Sequence, residues 1–226
     1  MYKLSLQTDK LPQIIVAEYA TQRLKDQFKF KLGFRPARSR DELEEIFRKC
    51  EAALMTLKYS YISLEDLNDH KEVITIQRMA QELREAINPA IQSPSTHKLS
   101  YALLNWGVQL LEGFQNRLQM EGFELGVGID VKVVRIRNIQ KIGEFVKTRV
   151  SDDQREYTVM TNQTMIKSNL KLAVSFLPPT EVAGEISEAI FLGLKERIEV
   201  VGSILNSKEI DLREINAILF KLIKRK

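Results

Sequence analysis

A lone cysteine cannot close a disulfide within its own chain, and Cys50 is the single thiol among 226 residues. With only His70 and His97 beside it, a zinc site of the usual cysteine and histidine kind lacks ligands, while an acidic cluster holding magnesium stays open. Long apolar runs are missing as well. No window approaches the uninterrupted length that crosses a bilayer, and the opening MYKLSLQTDK has no apolar core of signal-peptide length. A cytoplasmic protein that avoids the membrane is the expectation. Phosphate-binding glycine patterns are lacking too: GVGID has neither the third glycine nor the following helix of a dinucleotide fingerprint, and no Walker-type glycine-lysine loop occurs. Neither histidine is matched by a serine in a Gly-x-Ser-x-Gly turn, so a hydrolytic triad has no support. Cys50 falls in the apolar stripe of a helix, where an inert buried thiol is expected. These gaps point away from an enzyme, and no cofactor is implied.

What is present divides into two halves. Apolar residues make up 44% and charged residues 28% of the chain, the composition of an ordinary globule with a sizeable core. Thirty-four lysines and arginines against thirty aspartates and glutamates leave a net charge of +4, which permits contact with phosphates without requiring it.

From Asp9 to about Glu121 the apolar spacing is helical. DKLPQIIVAEYATQRLKDQF opens with an aspartate positioned to cap and a proline in the first turn, where its missing amide does no harm. In SRDELEEIFRKCEAALMTLKY, Ser39 and Glu42 stand at capping-box spacing, and Leu43, Ile46, Phe47, Cys50, Leu54 and Leu57 share one face. A third helix runs from Lys71 to about Ile87, lined by Val73, Ile76, Ala80, Leu83 and Ile87. A fourth, Leu99 to Met120, carries Leu103, Trp106, Leu110, Leu111, Phe114 and Leu118. Between them the two prolines of NPAIQSPSTHK mark a connector. The segment YSYIS offers Tyr59 and Tyr61 either for packing or for stacking on a ligand. Residues 1–121 read as a helical bundle.

After EGFELGVG the period drops to two. Val127, Ile129, Val131 and Val133 share one face, and Val134 and Ile136 shift the phase by one, as a bulge between Val133 and Val134 would produce. GEFVKTRVS, REYTVMTN, LKLAVSFL, SEAIFLG and RIEVVGS follow as short strands between polar turns, the pattern of a closed or nearly closed antiparallel barrel. The chain ends in NSKEIDLREINAILFKLIKRK, a helix with Ser207 as cap and Ile210, Ile215, Ile218, Leu219 and Leu222 as its apolar face. Its closing KLIKRK either seeks phosphate or complements the helix dipole.

The second strand holds the candidate binding surface. In EFVKTRV, Val146, Thr148 and Val150 alternate with Phe145, Lys147 and Arg149, so one face enters the core while the other presents a ring and two cations. Cations meet phosphates and an exposed ring stacks on a base. The same alternation equally describes a plain solvated strand face.

Three stretches add a resemblance: VGIDVKVVRI, YTVMTN and LPPTEVAGEISEAIFLG. Together they make the run from about Leu125 to Gly193 similar to the tRNA-binding OB-fold domain found on some aminoacyl-tRNA synthetases and in free-standing structure-specific tRNA-binding proteins. VAEYA and LKYSYIS have the flavour of a helical extension seen in some archaeal free-standing members. The resemblance implies an α+β protein: a helical bundle over 1–121, then over 122–226 a five-stranded OB-like β-barrel and a C-terminal helix. LPPTEVAG becomes the turn between two barrel strands, with Pro178 and Pro179 ending a ladder and Gly184 permitting a tight reversal.

By position, Asn162, Ser187 and Glu188 inherit places near the RNA-contacting rim of that family. Two departures stand against a full transfer: RNIQKIGEF replaces the family's His-Pro-Asn-Ala-Asp stretch, and Ala189-Ile190 replaces its Gly-Met step. The cations nearby, Arg135, Arg137, Lys141, Lys147 and Arg149, favour phosphate-led, shape-selective binding of tRNA or another structured RNA. The alternative is an interaction scaffold, for example one docking an aminoacyl-tRNA synthetase, with a degenerate barrel. A homodimer is expected from the family and from the apolar stripe of the last helix.

Overall fold

In a computed structural model of the protein, residues 8–29, 35–91 and 98–224 are described. MYKLSLQ, the stretch 30–34, the connector residues 92–97 with His97, and the last two residues of KLIKRK lie outside them. Helix α1 (Pro12–Lys29) starts on its proline, as the sequence indicates. Asp9 is not its cap: it sits inside a preceding 3-10 turn (Thr8–Lys10), and Ile15 N–H donates to Leu11 O at 3.1 Å. Helix α2 (Arg40–Lys58) has the expected capping box, with Ser39 Oγ accepting from Glu42 N–H at 3.3 Å and Glu42 Oε2 accepting from Ser39 N–H at 2.7 Å. Its six stripe residues are all buried, Cys50 among them. A short α3 (Leu64–Asn68) leads into α4 (Lys71–Ile91). That helix continues through Pro89, which the sequence had placed in the connector. A proline in the last turn forfeits one hydrogen bond, and the helix ends two residues on.

The fourth predicted helix is two, α5 (Lys98–Glu112) and α6 (Phe114–Leu118). They part at Gly113, where a Cβ would come within 2.6 Å of Arg117 Nη1, so the missing side chain makes room for a buried guanidinium.

The strands are β1 (Val131–Ile142), β2 (Phe145–Ser151), β3 (Glu156–Thr161), β4 (Lys171–Ser175), β5 (Thr180–Val182), β6 (Glu185–Ser187) and β7 (Ile190–Phe191). Five of them form a curled antiparallel half-barrel in the order β3-β2-β1-β4-β7, and β5 pairs with β6 in a small hairpin. LPPTEVAG is thus more than a turn: β5 lies within it. The reversal itself sits at Ala183 (φ 52°) and Gly184 (φ 79°), with Pro178 and Pro179 beyond the end of the β4 ladder as expected.

Three other expectations fail. The bulge is not between Val133 and Val134, because β1 pairs with β4 without interruption from Val131 to Arg135; the register slips against β2 between Ile136 and Asn138. Both valines are buried because β1 has core on both faces. RIEVVGS forms no strand. Instead its end lies along β1, where Val133 N–H donates to Ser203 O (3.0 Å) and Leu205 N–H to Val131 O (2.8 Å). The last helix, α7 (Arg213–Lys224), begins later than Ser207. Asn206 caps a 3-10 turn there, and Ser207 Oγ donates to Glu121 O at 2.8 Å.

Two apolar cores result. One joins α1, α2, α4 and α5 to Val131, Val133 and Ala173 on the helix-facing side of the sheet and to Leu212, Ile215 and Leu219 near and on α7. It crosses residue 121 without a break. The other fills the half-barrel with Val134, Ile136, Val150, Val159, Leu172, Val174 and Phe191. Trp106 ties the two together, its Nε1–H donating to Phe176 O at 2.9 Å. Among the described residues, no helix is long and apolar enough to cross a membrane.

Candidate nucleic-acid interface

The distal half of β1 and all of β2 are built from one tight turn. Gly143 adopts φ +60°, the first position of a two-residue hairpin turn that calls for glycine, and it sets Ile142 opposite Phe145. Counting back along the ladder, Gln140 faces Lys147 and Asn138 faces Arg149. One face of this ribbon therefore carries Asn138, Gln140 and Ile142 beside Phe145, Lys147 and Arg149. Asn138, Gln140, Lys147 and Arg149 line a recess of about 110 Å³. The opposite face takes Val146, Thr148 and Val150 inward, all buried, as the alternation predicts.

The predicted cations do not all converge. Lys147 and Arg149 share the recess. Lys141 pairs with Val146 on the other face, Arg137 occupies the bulge, and Arg135 is half-buried next to Ser151 and Lys171 in the proximal half. Three have carboxylate partners: Lys147 with Glu185 (2.8 Å), Arg137 with Asp153 (3.0 Å) and, loosely, Arg149 with Glu156 (3.9 Å). The Lys147 ammonium holds the Glu185 carboxyl below the usual carboxylate range. Phe145 is half-buried at the ribbon tip.

The residues carried over from the resemblance lie elsewhere. Asn162 is exposed, one residue beyond β3. Ser187 is buried; its Oγ accepts from Met160 N–H (3.0 Å) and donates to Ala189 O (3.0 Å). Glu188 and Thr158 bond reciprocally, Thr158 N–H to Glu188 Oε2 and Glu188 N–H to Thr158 O, each at 2.8 Å. Burial pushes the Glu188 carboxyl above its ordinary range, with the Thr158 N–H pulling the other way. Ser187 Oγ and Glu188 Oε2 are thus engaged with the backbone where β3 meets β6 and β7. Tyr59 and Tyr61 are about half exposed at the end of α2, far in sequence from the ribbon.

Asn138 and Gln140 are absent from the sequence reading. The signal for them was the IGEF turn, since a two-residue hairpin fixes which residues of β1 face Lys147 and Arg149. No group of three or more His, Cys, Asp or Glu side chains that could hold a metal occurs among the described residues. Burial pushes the Cys50 thiol up to about 11, and Thr21 Oγ1 contacts its sulfur at 3.6 Å. No protein-family model matches the chain, and no curated protein matches it.

Proposed function

We propose that this chain is a noncatalytic binder of structured RNA, with tRNA the first ligand to test, and that the distal β1–β2 ribbon holds it. The observation behind this is the recess where two cations and two amides meet on one strand pair. Cations lead on phosphates, while amides can reach base edges or 2′-hydroxyls. From Ile136 to Val150 the ribbon carries Arg137, Lys141, Lys147 and Arg149 against Glu144, four minus one, or +3. The Arg137 and Arg149 pairs are largely exposed and of little worth, so a phosphate displaces their carboxylates at small cost, whereas the partly buried Lys147–Glu185 pair is held more tightly. The half-barrel supports the finer, OB-like reading: β1 sits between β2 and β4, and the edge strands approach each other through the Thr158–Glu188 bonds. Partly open five-stranded barrels of that kind bind oligonucleotides on their sheets. In this reading Ser187 and Glu188 shape the sheet rather than touch RNA.

The competing scaffold reading gains from Phe220, 52% exposed on α7, where a second copy or a synthetase would dock. Gel-shift titration of tRNA across a salt series separates the two. Binding should fall steeply with salt, and Lys147→Ala with Arg149→Ala should weaken it about tenfold while lowering the salt slope by roughly 2. No tRNA binding at low salt, or no effect of the double change, sinks the RNA reading in favour of the scaffold.

A further inference from the structure

A cavity of about 280 Å³ lies where α5 and α6 meet the start of β1 and the turn between β2 and β3. One wall is aromatic, formed by Trp106, Tyr157 and Phe176, with Tyr157 standing edge-on to Phe176 at 4.6 Å between ring centroids. The indole N–H is already committed to Phe176 O, so what Trp106 offers the cavity is apolar ring.

Two other lining residues hold donors without acceptors, each sealed just beneath the cavity surface. Arg117, 1% exposed, uses Nη1 on Asp130 Oδ1 at 2.8 Å and leaves Nη2 with no hydrogen-bond partner. Gln109 Nε2 is unpaired in the same way. Buried N–H groups are costly to leave bare, and a small shift of either side chain toward the cavity would give its N–H an acceptor oxygen there. The chain makes room for this arrangement: a Cβ at position 113 would stand 2.6 Å from Arg117 Nη1 and push the guanidinium from where it lies.

The charge balance has the same sign. Among the carboxylates around the cavity, Asp130 is held by Arg117, Asp152 by Lys132 at 2.9 Å, and Glu112 by Arg84 at 2.9 Å. Arg155, exposed at the mouth, has no side-chain hydrogen bond or ion pair among the described residues. It is the lining cation without a carboxylate partner, while Glu188, which shares a smaller recess with Trp106, Gln109, Tyr157 and Phe176, is a carboxylate held by backbone rather than by a cation. The volume sits just under the roughly 300–1,000 Å³ that accommodates drug-sized ligands, which suits one ring system rather than a chain.

We propose that this cavity binds a small flat anion: an aromatic or heteroaromatic ring against Trp106, Tyr157 and Phe176, with a carboxylate or phosphate reaching Arg117, Gln109 and Arg155. It shares no lining residue with the ribbon recess, so it stands whether or not RNA binds.

Trp106 is the sole tryptophan of the chain, so its emission reports from the cavity wall alone. The full chain is titrated with AMP and UMP in one arm and with nicotinate and benzoate in the other, following emission and the thermal unfolding midpoint. At least one arm should give a saturable change with Kd near or below about 1 mM. Which arm responds tells phosphate from carboxylate. Arg117 variants risk misfolding, so the decisive changes are at the mouth: Arg155→Ala should weaken binding about tenfold, and Ile204→Phe, which narrows the opening, should also weaken it. If no probe moves emission or midpoint up to about 10 mM, or if both variants bind as the parent does, the inference is overturned.

Discussion

Replacing Asp130 with asparagine keeps its shape and removes its charge, which isolates what a buried guanidinium costs. Arg117 is 1% exposed and Asp130 23% exposed, with 2.8 Å between Nη1 and Oδ1. Breaking a fully buried ion pair costs about 3–5 kcal/mol because one charge is left uncompensated. Asp130 keeps part of its surface in water and asparagine keeps an acceptor oxygen, so a loss of about 2–3 kcal/mol is expected. For a chain of this length that is a midpoint lowered by roughly 5–10 °C. Urea unfolding followed by Trp106 emission measures it, with an unchanged m-value showing that the native fold persists. Arg117→Met then supplies the cross-check. In the double variant no charge is stranded, so the two losses should fall short of additivity by about 1–3 kcal/mol. A loss below about 0.5 kcal/mol for Asp130→Asn, or strict additivity, would mean that the pair is solvated and the burial argument fails.

Two further outcomes follow from local geometry. Ala183 holds φ 52° next to Gly184 at φ 79°, a reversal for which Asn-Gly is the preferred dipeptide. Ala183→Asn should stabilise the protein by about 0.5–1 kcal/mol, read as a raised midpoint in calorimetry; a neutral or lower midpoint refutes the strain. Glu188 has a native pKa raised by burial. Such a carboxyl stabilises the fold while protonated, and that contribution is lost as pH rises through the native pKa. Glu188→Gln retains an oxygen for Thr158 N–H, so the variant should melt above the parent at pH 7, with the gap closing below about pH 4. A gap independent of pH contradicts the assigned cause.

Much of the fold was legible because short-range rules governed it. The Ser39–Glu42 box and the stripe from Leu43 to Leu57 are local patterns, and both survived, though the Asp9 and Ser207 caps did not. Where the reading slipped, a distant partner decided. Gly113 breaks a helix that periodicity joined, because Arg117 needs its space. The Val133–Val134 doublet looked like a bulge because a strand buried on both faces loses its alternation, and the second face is covered by elements outside the strand's own neighbourhood in the pattern, helices before it and the last helix after it. At the proposed binding surface, Lys147 and Arg149 were legible from their own strand, whereas Asn138 and Gln140 required the pairing register. Ser187 and Glu188 were placed on a rim by resemblance. Their bonds to β3 depend on how the β5–β6 hairpin folds back, which no stretch of sequence states by itself.

The slip at Arg137 explains why the ribbon, and not the whole sheet, is available to a ligand. Before it, β1 is covered twice: Val131 and Val133 pack on the helices, and Val134 and Ile136 fill the half-barrel. After it the strand leaves β4 and pairs with β2 alone, and Arg137, Asn138, Gln140 and Lys141 are all exposed. An extra residue in one strand bends it and increases its twist, turning the remainder away from what covers the first half. On the proposed RNA reading the helical segment contributes without touching the ligand: it covers the proximal face of β1 and leaves the distal hairpin, where cations and amides share one side, as the open surface.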